Sequence, residues 1–145
     1  MALVVADADE LMAERRELID SYAKALLALA YEANGAAGDN QAALLTDLND
    51  RAIVSATGAH WESDGQDFPN LDSDIRGTAM VISALTQLQP DSALLPPAVR
   101  WLMVARQAET WATLHQAAWS VSALSDWMVV SGELEPDYAL SLIHI

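Results

Sequence analysis

The residues of this 145-residue chain with the most obvious chemical potential are acids. Asp72-Ser73-Asp74 follows Glu62, Asp64 and Asp67 within one short stretch, and several converging carboxylates are what a hard cation such as calcium or magnesium requires. The spacing matches no calcium-loop pattern, since Gly65 stands in the wrong register, so the stretch reads as a solvated acidic loop ending in a helix cap. His60, His115 and His144 are scattered, with no helix-spaced pair and no cysteine partner, which leaves no zinc ligand set. His115, close to a helix start, has the chemistry of a base, yet no serine or cysteine is tied to it by sequence. Packing is the reading for it and for His60, which stands beside Trp61. No catalytic, cofactor-binding or metal-ligating residue is expected.

Five tryptophans against one phenylalanine raise the question of a carbohydrate or aromatic-cage site. Trp101, Trp119 and Trp127 fall on apolar helical rows, which favours core packing. Trp61 and Trp111 instead precede two similar segments: TAMVISAL, Thr78–Leu85, returns as AAWSVSAL, Ala117–Leu124, with a weaker echo in YAKALLAL, Tyr22–Leu29. Self-similarity with variable spacers marks a helical array, and the equivalent placing of the two tryptophans suggests plugs between successive hairpins.

The elements that would carry these residues are helices. Ala8, Leu11, Met12, Arg15 (through its alkyl stem) and Ile19 have helical spacing, as do Tyr22, Ala25, Leu26, Leu29 and Ala33 before Asn34-Gly35 ends that helix. Leu45, Leu48 and Ala52 predict a third helix that starts near Asp39-Asn40, with one of these as N-cap, and ends by Gly58. Residues 59–74, acidic and holding a glycine and a proline, predict a loop without helix or strand. A fourth helix is expected over Ile75–Leu88, capped by Ser73 or Asp74 and apolar nearly all round, which implies burial on two sides. Gln89-Pro90-Asp91 stops it. Pro96-Pro97 opens a fifth, with Val99, Trp101, Leu102 and Met103 on its buried side. A sixth spans Leu114–Val130, with one apolar row at Ala117, Val121, Leu124 and Met128 and a second at Trp119, Ala123 and Trp127, closed by Gly132. The fold class is all-α: six helices in three sequential hairpins.

Composition limits the function classes. A chain that is 52% hydrophobic can build a core. A net charge of −14 opposes binding to nucleic acid or anionic lipid. No apolar run reaches the roughly 20 residues of a membrane span, and MALVVADADE lacks the pattern of a signal peptide. Zero cysteines exclude disulfides and thiolate chemistry within the segment.

Taken in order, YAKALLALAYEANG, LLTDLNDRAIVSATGAHWES, SDIRGTAMVISAL, AVRWLMVAR and WATLHQAAWSVSALSDW resemble the thioester-containing domain of the alpha-2-macroglobulin family. The five blocks cover nearly everything from Tyr22 to Trp127, and include the His60-Trp61 loop with its acid-rich insert. The resemblance implies a partial α/α toroid, of the architecture of terpenoid cyclases and protein prenyltransferases, with residues 1–132 as the later half of the domain. It implies that SGELEPDY, with residues 133–140, exits towards a β-domain, as in the bacterial members, which are periplasmic. Ser141–Ile145 resembles the translated adapter tail common on shotgun sequencing reads and carries no structural weight.

Members of that family are endopeptidase inhibitors that enclose a protease after it cuts a bait segment. The implied role here is helical scaffold rather than enzyme, in a periplasmic or extracellular parent whose partners are target endopeptidases and its own neighbouring domains. Some members also tether the protease through a thioester, which needs a Cys-x-Glu-Gln segment; this chain has no cysteine, so no reactive residue transfers to it. It departs from the family at Leu114-His115-Gln116-Ala117, where Thr-Gln-(acid)-Thr is usual, which puts the capping of the sixth helix in question. The resemblance further implies uncovered apolar faces on the terminal hairpins, and hence aggregation or partial folding of the segment alone.

The alternative is a toroid-fold enzyme, a terpene cyclase or prenyltransferase, whose acid and aromatic motifs Asp72-Ser73-Asp74 and Gln116-Ala117-Ala118-Trp119 mimic superficially. The cysteine of a prenyltransferase zinc site and the glycine-containing cyclase repeat are both missing. A tetratricopeptide scaffold fails because the repeat spacing does not hold that motif's period of about 34 residues.

Overall fold

The computed structural model describes residues 2–63, 73–106 and 111–133. Among the described residues the chain is all-α apart from one small hairpin: α1 Ala2–Arg15, a 3-10 turn Arg16–Leu18, α2 Ser21–Ala33, α3 Asp39–Arg51, β1 Ile53–Ser55, β2 Gly58–His60, α4 Asp74–Leu88, α5 Leu95–Val104 and α6 Leu114–Ser131. Arg15 lies exposed rather than on the packed row of α1, because the chain tightens just after it and turns Arg16 inward instead. Gly38, not Asp39 or Asn40, is the N-cap of α3; Asp39 is its first helical residue, where a carboxylate favours the positive end of the helix dipole.

The third helix stops seven residues before Gly58. β-Branched Ile53 and Val54 leave the helical region and pair antiparallel with Ala59 and His60, Ile53 opposite His60 and Val54 opposite Ala59. Residues 59 and 60, expected in a loop, therefore lie in β2. Gly58 makes this hairpin possible. Its φ is +132°, and a Cβ there would collide with the Pro97 carbonyl and stand 2.8 Å from the Trp101 amide nitrogen, so the strand lies directly on the start of α5.

Packing centres on α4. From Arg76 to Thr86 every residue is buried, because α2, α5 and α6 all pack against it. α2 and α4 run parallel. At their N-terminal ends the Arg76 guanidinium lies 4.4 Å from the centre of the Tyr22 ring, and at their C-terminal ends Glu32, Thr86 and Gln87 line one cavity. α6 follows the same direction: Ser83 hydrogen-bonds Asp126 at 3.3 Å, and Thr86 and Gln87 share the cavity with Val129 and Val130. α3 runs the opposite way along α2, since Gln41 in its first turn donates to the Ala28 carbonyl at 3.1 Å while Asp47 reaches back to Lys24 near the start of α2. The architecture is a layer of three parallel helices, α2, α4 and α6, with α3 returning against α2 and α5 packed on α4. Sequential hairpins describe α2 with α3 and α4 with α5, while α6 makes its extensive contact with α4 across the intervening helix.

Not every expected apolar position is covered. On α5, Leu102 is buried but Met103 is 38% exposed; on α6, the Trp119, Ala123 and Trp127 row packs inward while Val121 of the other row faces solvent.

Candidate functional site

Both repeated helices begin in the same way. Ser73 Oγ accepts from the Arg76 amide, and Thr113 Oγ1 from the Gln116 amide, each at 3.1 Å, so each helix has a hydroxyl N-cap bonded to the amide three residues on. The doubt over capping at Leu114-His115-Gln116-Ala117 is resolved by Thr113, one residue upstream of that block.

Both helices are also preceded by a buried tryptophan with one task. The last four carbonyls of a helix have no partner within it. Trp61 Nε1 donates to the Leu48 carbonyl in the last turn of α3 at 2.7 Å, and Trp111 Nε1 to the Leu102 carbonyl in the last turn of α5 at 3.3 Å. Trp61 is further fixed to α4, its amide donating to Thr78 Oγ1 at 3.1 Å and its carbonyl accepting from the same hydroxyl at 3.4 Å. The Trp61 residue thus bridges the end of α3 and α4, while the Trp111 indole lies buried against the end of α5. These two loop tryptophans are buried, more deeply than Trp101, Trp119 and Trp127, which pack half-buried against the core.

The candidate chemical residues are dispersed. Asp74 Oδ1 accepts from the Ser63 amide at 2.7 Å and closes the acidic loop; Asp64, Asp67 and Asp72 lie outside the described residues. Glu62 stands 3.6 Å from His60 Nε2. The His60 ring stacks on Trp101 with centroids 4.6 Å apart and planes within 7°, which seats β2 on α5. His115 is half-buried at the start of α6 with Nε2 enclosed and unpartnered, as is Gln116 Oε1, while Ala118 of the cyclase-like Gln116–Trp119 segment is exposed. His144 and residues 134–145 lie outside the described residues. Among the described residues no three His, Asp or Glu side chains converge as metal ligands, and no helix is long and apolar enough to cross a membrane.

The densest charged cluster is one that sequence reasoning missed. Lys24 is fully buried, and its ammonium donates to Asp47 Oδ2 at 2.5 Å and to the Arg16 carbonyl at 2.8 Å. Arg16 grips the same carboxylate from the other side, Nη2 to Oδ1 at 2.6 Å and Nε to Oδ2 at 2.8 Å. The Arg16 hydrogen bond, with that of Lys24, holds the Asp47 carboxyl down at about 2. The available signal was register: Lys24 falls on the same face of α2 as Ala28 and Tyr31. A second polar knot joins α1, α2 and α3, where Asp9 accepts from Tyr31 Oη and Asn40 Nδ2, both at 2.7 Å, and burial with this bond pushes the Tyr31 phenol up to about 12. Both clusters tie helices together with their polar groups satisfied, and Tyr31 of the second also lines the apolar cleft between α1 and α2.

Depressions among the described residues include an apolar cleft of about 260 Å³ between α1 and α2, a wider one of about 630 Å³ where α2, α4 and α6 end, and one of about 270 Å³ lined by Asp20, Arg51 and Glu62. No protein-family model matches the chain, and no curated protein matches it significantly.

Proposed function

We propose that this chain is the later half of the α/α-toroid domain of an alpha-2-macroglobulin-like endopeptidase inhibitor, and that it serves the parent as scaffold. The observation that carries the reading is the parallel layer α2, α4, α6, each of the last two entered through a hydroxyl cap and a tryptophan seated on the preceding helix end. Parallel helices from a single chain need a return segment each time, and an inner layer of parallel helices with returning outer ones is what a toroid is built from. The order of the five resembling blocks supports the family within that architecture.

As scaffold, the segment does no chemistry of its own. Its buried ion cluster and tryptophan plugs fix the helices against one another, which suits a domain that must move as a unit when a bait segment is cut. Target endopeptidases and neighbouring domains are met by the periplasmic or extracellular parent. The direct test is the upstream coding region: further helical hairpins are expected there, with a Cys-x-Glu-Gln segment if the trap is covalent, whereas a cyclase-type acid motif would overturn the reading.

A further inference from the structure

Helix ends in this chain are of two kinds. α1 and α3 carry a base in the last turn, Arg15 and Arg51, and the Arg106 side chain donates to the Met103 carbonyl near the end of α5 at 3.4 Å. α2, α4 and α6 carry no base there, although a helix C-terminus is the negative end of its dipole. These three are the parallel helices whose ends meet at the wider cavity, of about 630 Å³. Two acids stand in its wall, Glu32 on α2 and Asp126 on α6, and no Lys, Arg or His does. Glu32 Oε2 accepts from Gln41 at 3.0 Å and Asp126 Oδ2 from Ser83 at 3.3 Å, while Glu32 Oε1 and Asp126 Oδ1 receive no donor among the described residues. Between them, on α4, Thr86 also forms part of the wall. It is 2% exposed and its Oγ1 has no hydrogen-bond partner, a buried polar group that costs free energy until something pairs with it.

The geometry points to a binding site for a linear polyamine, an alkyl chain with an ammonium at each end and an amine nitrogen between, held across the ends of α2, α4 and α6. Charge sets the sign of the ligand: two carboxylates with free oxygens and three helix ends without a base give a negative potential that a concave site concentrates. Placement sets its form. Helices in contact pack with axes about 8–10 Å apart, and α4 lies between α2 and α6, so a single ammonium cannot meet both acids. A chain charged at both ends can. Among the described residues no three His, Asp or Glu side chains converge, so the acids do not form the ligand set of a divalent cation. The Thr86 hydroxyl, on the middle helix, is left for the inner nitrogen, and Pro90, Val129 and Val130 give the methylenes an apolar wall. A cavity of this volume falls in the range of about 300–1,000 Å³ typical of small-molecule sites, which favours a free polyamine over the lysines of a protein partner. Every wall residue belongs to this chain, and the inference does not rest on the inhibitor reading.

Isothermal titration of the complete chain with spermidine is the test, and saturation at one molecule per chain is expected. Glu32→Gln and Asp126→Asn should each weaken binding about fivefold or more. Thr86→Val removes only the hydroxyl; it should weaken binding about threefold or more while the free chain melts no lower than before. Asp50→Asn, which takes the same charge from the exposed side of α3, should change the affinity by less than about twofold. Butylamine, charged at one end, should bind at least about tenfold more weakly. A strongly acidic chain attracts any cation, so the contrary results are specific: no saturable binding, an effect of Asp50→Asn equal to that of Asp126→Asn, or displacement of spermidine by an equal concentration of Mg²⁺ each overturns the proposal. Tighter binding of a Lys-Ala-Lys peptide than of spermidine would overturn it in favour of a protein partner.

Discussion

The indole nitrogen of Trp61 lies 2.7 Å from the carbonyl oxygen of Leu48, closing the last turn of α3 with a side chain 13 residues further along. A single hydrogen bond therefore couples the end of one helix to the loop that enters the next, and the hydrophobic body of the same side chain occupies the gap between them.

Replacing that indole by a ring without the donor should expose its worth. Trp61→Phe leaves a buried carbonyl unsatisfied and a void where the second ring was, at an expected cost of about 3 kcal/mol. Trp111→Phe, acting on a longer bond of 3.3 Å, should cost less. Urea unfolding of the two variants measures the difference; equal costs would remove the distinction drawn between the plugs.

Asp47→Asn should destabilise more than its surface position suggests, by about 3 kcal/mol, because it leaves the enclosed Lys24 ammonium without a carboxylate. Lys24→Met with Asp47→Asn should recover part of that loss, since the buried charge is then gone. Chemical denaturation of the single and double variants decides the point.

The same carboxylate gives an acid limit. Its folded value of about 2 lies below the ordinary 3.8, so its contribution is present above about 4 and is lost as pH falls towards 2. Tyr31 gives the alkaline counterpart: with a folded value of about 12 against the ordinary 10, its contribution is full below 10 and is lost between 10 and 12. Thermal melts across pH should show the acid loss abolished in Asp47→Asn and the alkaline loss reduced in Tyr31→Phe.

Gly58→Ala tests the seat of the hairpin on α5. A Cβ at this position meets the Pro97 carbonyl and the Trp101 backbone, and the positive φ is unfavourable for alanine, so a loss of about 3 kcal/mol is expected. Gly35→Ala, also at positive φ but with open space around it, should cost about 1 kcal/mol. Comparison of the two melting curves separates collision from backbone strain.

Periodicity made the helices legible because burial follows it: α4, apolar nearly all round, is buried nearly all round. The proline and glycine signals at Pro90, Pro96 and Gly132 act locally and fell where expected. The β-hairpin was obscured because Ala52 extends the apolar row of α3, and the departure of Ile53 from the helix depends on a long-range fit of Gly58 to α5. Lys24 with Asp47 was invisible for the same reason: the pair is 23 residues apart, and only antiparallel packing of α2 and α3 brings it together. The tryptophan plugs were legible as a repeat, while their hydrogen-bond partners required the helix ends to be seen.

The central claim, that this scaffold belongs to a protease trap, is tested most directly on the full-length parent. After incubation with an endopeptidase, cleavage of a large protein substrate should fall sharply while cleavage of a small peptide substrate by the same protease persists, because the enclosed enzyme stays active but sterically shielded. Equal activity on both substrates, whether full or abolished, would contradict it.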